Sequence, residues 1–585
     1  MGCSGGSSSD EPQGASIPEE VVEPDVDRDP KAIYLHEKNA NNDLRESMPF
    51  KSSFFLNTDP YKMLIVNDDP VKNPIKAITI DGPNSSDYDV KSCLQEGKDF
   101  LAHNEKCLIY VSIKSKPGLW KEEKKDTVNL LFTYEDKKTL TMPLDFDYKP
   151  IHATILSPGD SEVDKSNYFG WNIATLDNQG KKIIAVGAPG KPAPQGEEDA
   201  PGKVYLYEKE NDNFKITQTI NVPETTSDKD LLSKFGQNVH LETVSDETFL
   251  FVSDYNNLMQ PINENAKEIV YVYSKDSNGQ FILRQEIEKP EDNPSKTNFF
   301  GHSIVYNKGR LYIGAYGPVV KNQLNDSSWE IVRQDFGSVY VFNFDSKSKE
   351  DPFHYRMTLS DPNKDKGLSG FGYSLAIDKE KNRLVVGSPL MADAGSAFYV
   401  YDVNTLKEGS QPQIAYKSKS ASADMFASSL IFENNELFVG ASVTEENGEK
   451  KKTGAVYRFT LNDSNAELIQ KISPSNGESD DWFGGSLSLY NNDYLLIGAY
   501  GKDKNPEHSG DNKINNGSVY LYKRNGETFD YVENVFTDED FLGKGNDKTT
   551  EKTYFGYSIV SIKDSLAVIS ADGDGEVAGF VVVID

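Results

Sequence analysis

The sequence predicts an all-β protein, a seven-bladed β-propeller preceded by an immunoglobulin-like β-sandwich. Three observations carry this. One unit recurs seven times after residue 150, each unit holds four short alternating strands, and the stretch before the first unit supplies the strand that the last unit lacks. At 585 residues the chain exceeds what one core sustains, so separate domains are expected.

Each unit opens on an aromatic residue followed by a small one. The copies are FGWNIATL from Phe169, FGQNVHLE from Phe235, FGHSIVYN from Phe300, FGYSLAID from Phe371, FASSLIFE from Phe426, FGGSLSLY from Phe483 and FGYSIVSI from Phe555. A tight turn follows, then an apolar strand ending in small residues. The third strand reads GKVYLYEK, EIVYVYSK, GSVYVFNF, GSAFYVYDV, GAVYRFTL, GSVYLYKR and AGFVVVID. Its β-branched and aromatic residues alternate with period two. A fourth strand, such as FKITQTI, FILRQEI or ELIQKI, precedes the next aromatic. Asn278-Gly279 and Asn525-Gly526 suit two-residue hairpins between the third and fourth strands, because such turns need positive φ.

The seventh unit has no fourth strand of its own. IHATILSP, residues 151–158, reads as an orphan fourth strand, and pairing the two closes the ring without an exposed edge. The expected division is a tether over residues 1–30, a sandwich over 31–150 and a propeller over 151–585. Within 31–150 the expected strands are AIYLHEK, SSFFLN, MLIVND, IKAITID, CLIYVSIKS, VNLLFTYE and TLTMPLDFDY.

The recurring units resemble the FG-GAP repeat, the unit of the integrin alpha-subunit head. Val186-Gly187-Ala188-Pro189 matches its second motif in full. Val386-Gly387-Ser388-Pro389, Ile313-Gly314-Ala315, Val439-Gly440-Ala441 and Ile497-Gly498-Ala499 match in part. The second and seventh units depart with Ser253 and Ser570, and the fifth has Ala427 for the first glycine. The motif residues are expected to be structural, with each aromatic ring packed between blades and glycine permitting close approach. Many members of the family hold Ca²⁺ in the hairpin joining the first two strands, which requires spaced oxygen ligands and a glycine. Here Asp177, Asn178 and Gly180 come nearest and fall short, so no cofactor is expected.

The formal net charge is -30, which opposes nucleic acid or an anionic membrane surface as partner. No apolar run is long enough for a membrane-spanning helix. The start, MGCSGGSSSDEP, resembles a bacterial lipoprotein at its lipidation cysteine. That resemblance implies an acylated Cys3, an outer-membrane or cell-surface location, and membrane contact only through the anchor. In an exported protein, Cys93 and Cys107 are expected to form a disulfide. Closing that loop contributes about 3 kcal/mol in the chain-entropy model.

No His-Glu-x-x-His, Gly-x-Ser-x-Gly or phosphate-binding glycine loop occurs, and the seven histidines are scattered. A binding protein is expected rather than an enzyme. Strand alternation places the loops from strand two to three and from strand four to the next unit on one face. The long loops 188–202, 315–337, 441–454 and 499–517 all belong there. Tyr255, Tyr316, Trp329, Trp482, Tyr500 and His508 are the expected ligand-binding residues on that face, for a protein or glycan partner. The alternative is a periplasm-facing scaffold that organises envelope proteins.

Overall fold

Strands with period-two alternation bury one or both faces and leave their turns to Gly, Asn and Asp, and that pattern fills this chain. The computed structural model describes residues 32–35, 61–67, 72–83, 85–94, 98–113, 124–148, 153–158, 167–178, 180–190, 202–211, 213–223, 234–255, 268–290, 299–317, 320–325, 328–333, 337–363, 370–389, 395–419, 424–444, 452–474, 476–503, 515–537, 553–562, 565–571 and 579–584. The described residues are all-β apart from one short 3-10 turn, Ser85–Asp87. The chain forms two compact units, residues 1–114 with 123–149 and residues 115–122 with 150–585.

The N-terminal unit contains a four-stranded and a three-stranded sheet. In the first, Tyr61–Asn67 lies between Ala32–Leu35, which it pairs in parallel, and Lys106–Ile113, which also pairs Tyr88–Ser92. The second orders Ile75–Asp81, Lys124–Tyr134 and Thr139–Tyr148. Ile65, Ile75, Ile109, Val111, Leu130, Phe132 and Met142 are fully buried. One detail departs from the sequence expectation. Tyr88–Ser92 forms a strand that YDVKS did not announce, since only Val90 is aliphatic. The expected strand SSFFLN lies outside the described residues. Cys93 and Cys107 are disulfide-bonded, with Cα atoms 5.6 Å apart.

The C-terminal unit is a series of small antiparallel sheets, consistent with a β-propeller. Sheet one runs from Asn172 to Asn221, sheet two from Asn238 to Glu288, sheet three from Ser303 to Ser360 and sheet four from Leu375 to Lys417. Sheet five runs from Phe426 to Ile472 and sheet six from Ser486 to Thr537. Sheet seven takes three strands between Ile559 and Ile584, and its fourth is Ala153–Leu156, which pairs antiparallel with Phe580–Ile584. The first strands of the seven sheets touch their neighbours in a cycle, and the seventh meets the first. The loop expected over 315–337 carries a hairpin of its own, Val320–Asn325 paired with Ser328–Arg333.

Cores form between sheets rather than within them. Phe235 packs among Ala185, Val204 and Leu206 of sheet one and Tyr271 of its own sheet. Phe300 is placed the same way between sheets two and three. Outer strands carry bulges, as where the register shifts between Leu206 and Tyr207 and between Val272 and Tyr273. Bulges twist an exposed edge away from edge-to-edge pairing.

Candidate aromatic rim

The Phe-Gly pair is the centre of a four-residue turn. In sheet three His302 N donates to Phe299 O at 3.1 Å, and in sheet six Gly485 N donates to Trp482 O at 3.0 Å. The glycine stands third in the turn with positive φ, +98° at Gly301 and +89° at Gly484, as a type II turn requires. Its N–H donates to the carbonyl of the second-motif residue in its own sheet, Gly301 to Gly314 at 3.0 Å and Gly484 to Gly498 at 2.9 Å.

The same turn locks onto the preceding sheet. Ser303 Oγ donates to Gly372 O at 2.8 Å, Ser374 Oγ to Ala427 O at 2.6 Å, Ser429 Oγ to Gly484 O at 2.7 Å and Ser486 Oγ to Gly556 O at 2.6 Å. The second-motif glycine leaves room for this contact. A Cβ on Gly314 would stand 2.1 Å from Gly372 O and 2.2 Å from Ser303 Oγ. The two motifs therefore hold sheets together, and their residues are not available to a ligand.

What the turn presents are the residues flanking Phe-Gly. They meet the first residues of the loops leaving strand two and form two groups of rings. Tyr168 contacts Trp171 (centroids 5.8 Å apart), Trp171 contacts Tyr557 (5.1 Å), Tyr557 contacts Tyr500 (5.0 Å) and Tyr500 contacts Trp482 (5.0 Å). This arc crosses sheets one, seven and six, and all five rings are half-buried. Gly485 makes room for it, because a Cβ there would stand 2.3 Å from the Tyr500 ring. The second group spans sheets two, three and four. Tyr255 meets Phe299 edge-on at 5.4 Å, Phe299 stacks on Tyr316 at 4.7 Å, and His302 contacts Tyr316 at 4.6 Å and Tyr373 at 4.4 Å.

The second group is uncharged at neutral pH. Burial lowers the His302 pKa to about 4, against a backbone hydrogen bond at Tyr373 that favours the protonated ring. Its Nδ1 lies 2.8 Å from Tyr373 O, so in the neutral ring this nitrogen carries the proton and donates. Burial likewise raises the Tyr255, Tyr316 and Tyr373 hydroxyls. The first arc lies beside an ion pair, Lys502 Nζ to Asp481 Oδ2 at 3.1 Å. Among the described residues no group of three or more His, Cys, Asp or Glu could hold a metal ion. Asp177, from the hairpin nearest to a calcium loop, accepts Gly180 N at 2.7 Å as a turn cap.

Of the residues singled out from sequence, Trp482 and Tyr500 come together in the first arc and Tyr255 and Tyr316 in the second group. Tyr255 is only 5% exposed, so its ring is packing for its neighbours. Trp329 stands on the inserted hairpin, in register with Gln323. His508 and Cys3 lie outside the described residues. Tyr168, Trp171, Phe299, His302, Tyr373 and Tyr557 were not anticipated. Their signal is positional, because they stand directly before Phe-Gly or directly after it.

Residues 467–522 match a family model described as FG-GAP repeat. The match runs from the fourth strand of sheet five into the third strand of sheet six, across the Phe483 turn and Gly498. The chain thus carries an FG-GAP repeat of the kind found in integrin alpha-like propellers. No curated protein matches the chain.

Proposed function

We propose that this protein is a recognition module that binds a protein or glycan partner on the face bearing the long loops and performs no catalysis. In this reading the C-terminal unit is a seven-bladed FG-GAP propeller, supported by seven four-stranded sheets whose first strands touch in a cycle. The N-terminal unit is an immunoglobulin-like sandwich serving as spacer, supported by its four-plus-three sheet composition. Cys3 carries a lipid that holds the protein at a bacterial outer membrane or cell surface, and no metal takes part in binding.

The observation that carries the reading is the half-buried arc Trp482–Tyr500–Tyr557–Trp171–Tyr168 at the roots of the long loops. Aromatic rings held rigidly by neighbours offer large contact area at small entropic cost, the property of binding hot spots. The test is binding of residues 31–585 to arrayed matrix proteins and glycans, with and without chelator. The expected result is a chelator-insensitive partner whose binding is lost in Trp171→Ala and Tyr500→Ala. Binding retained in both variants would move the site off this rim. No partner on any array, together with recovery of envelope proteins and resistance of intact cells to added protease, would favour the periplasmic scaffold.

A further inference from the structure

A recess lies at the opposite end of sheets five and six from the aromatic arc, where their first hairpins turn. It is a shallow, open recess of about 400 Å³ lined by Asn434, Asn435, Glu436, Thr460, Asn492 and Arg524. The hairpin tips shape it. Asn434 and Asn435 have φ of 50° and 69°, and Asn491 and Asn492 have 49° and 62°. Asparagine enters this left-handed region more readily than most residues bearing a Cβ.

The charged groups around the recess are engaged with one another. Arg524 grips Glu436 from Nη1 at 3.2 Å and from Nη2 at 2.5 Å, and Arg458 Nη2 donates to the same carboxylate. Arg524 Nε donates to Asn492 O at 2.7 Å, and its guanidinium lies 4.5 Å over the Phe529 ring. Asn435 Oδ1 accepts from Arg383 Nη2 at 2.5 Å. Burial alone would raise the Glu436 pKa, but the bonds from Arg524 and Arg458 outweigh it and hold the group ionised.

Other lining groups are uncommitted. Among the described residues the Asn434 and Asn492 carboxamides and the Thr460 hydroxyl have no hydrogen-bond partner. Each can both donate and accept. A cation finds no open carboxylate here, since both Glu436 oxygens are covered. An anion meets paired guanidiniums in a chain of net charge -30. The remaining match is an uncharged ligand whose own groups donate and accept side by side, and the volume falls within the range of small-molecule sites.

We propose that this recess binds an uncharged sugar residue through its vicinal hydroxyls. The proposal is independent of the aromatic rim. Its test is saturation-transfer-difference NMR on the full chain with glucose, galactose, mannose and N-acetylglucosamine in turn, with inorganic phosphate and sulfate as competitors. The variant is Thr460→Val with Asn492→Gly, chosen because valine copies the shape of threonine and glycine accepts the positive φ at 492. Asn434→Gly, at an exposed tip, is the milder variant. Transfer to at least one sugar is expected, with affinity about tenfold weaker in the double variant, as the loss of two hydrogen bonds implies. Binding should persist in Tyr500→Ala, which separates this site from the rim, and melting temperatures should match. No transfer to any of the four sugars, transfer undiminished in both variants, or displacement by phosphate would each overturn the proposal.

Discussion

Ser428 and Ser429 are neighbours in one strand, yet the structure gives their hydroxyls opposite worth. Ser429 Oγ donates to Gly484 O of the next sheet at 2.7 Å. Ser428 Oγ is buried with no partner among the described residues. Removing a buried hydrogen bond and leaving its acceptor behind costs about 1–3 kcal/mol. Removing a buried hydroxyl that bonds to nothing costs no bond and relieves a desolvation penalty, a change between zero and about 1 kcal/mol of stabilisation. Ser429→Ala should therefore fall below Ser428→Ala by about 2 kcal/mol. Urea unfolding followed by tryptophan fluorescence measures this, since Trp171 and Trp482 both lie in the C-terminal unit. With equal slopes the midpoints compare directly. Equal midpoints for the two variants, or a Ser429→Ala midpoint at the wild-type value, would refute the assignment of inter-sheet bonding to the fourth residue of the repeat.

Three further outcomes follow from the same geometry. Gly498→Ala would place a Cβ 2.1 Å from Ser486 Oγ and 2.3 Å from Gly556 O, so overpacking and the lost inter-sheet bond should together cost about 3 kcal/mol, read by the same unfolding curve. Replacing Cys93 and Cys107 together by Ala should cost the N-terminal unit about 3 kcal/mol by releasing a loop of sequence separation 14, seen as earlier proteolysis of residues 31–149 with the C-terminal unit unaffected. The His302 pKa is held at about 4, below its ordinary 6.5, so above pH 6.5 both folded and unfolded rings are neutral and nothing is lost. As pH falls from 6.5 to 4 only the unfolded ring takes up a proton. Stability should therefore drop by no more than about 3 kcal/mol over that window, and His302→Gln should lack this component. Parallel pH profiles for wild type and variant would contradict the burial of the ring.

The fold was legible because the repeat writes it openly. Phe-Gly, the small-residue strand end and the Tyr-x-Tyr third strand each encode a local requirement: a turn with positive φ, a close approach, a buried pleat. Tyr88–Ser92 was not legible because its burial alternates through Tyr88 and Ser92, and YDVKS has too few apolar residues to register. The inserted hairpin at 320–333 was hidden because VKNQLN and SWEIVR alternate weakly and sit between polar turns. Of the rim, Tyr500 could be proposed because it begins a long loop, and Trp482 because strand alternation puts it on the same face. Trp171 and Tyr557 could not be linked to them, since their meeting depends on three sheets closing on one another. The serines of FGxS were visible in every copy from the third onward. In sheets three to six their reach into the next sheet joins residues 53 to 70 positions apart, and periodicity within one strand carries no trace of it.

The departures in sheets two and seven are not erosion, because other residues at the same junction answer them. Sheet two has Ser253 where its neighbours have glycine, and that side chain fills the room a serine hydroxyl would cross. Ser253 Oγ instead accepts Asn238 N at 2.9 Å, and the longer Asn238 carboxamide reaches past it to Gly301 O at 3.1 Å and His302 O at 2.6 Å. Sheet two also has Glu268 where sheets one and three have Gly202 and Gly337. The glycines allow the next Phe carbonyl to approach, within 2.2 Å and 2.1 Å of where a Cβ would stand. Glu268 reverses the polarity of the contact, its carboxylate accepting Phe299 N at 2.9 Å and Phe300 N at 3.3 Å. In sheet seven Ser570 Oγ accepts Ser558 N at 2.9 Å, and the junction to sheet one is made lower down, where Thr175 Oγ1 donates to Ser561 O at 3.0 Å. A junction that keeps its bond while changing its residues is constrained by satisfaction of buried polar groups rather than by the motif itself. Asn238→Ser should therefore be more damaging in sheet two than its likeness to Ser303 suggests, because a serine there cannot reach beyond Ser253, and reverting Ser253→Gly in the same chain should restore the loss.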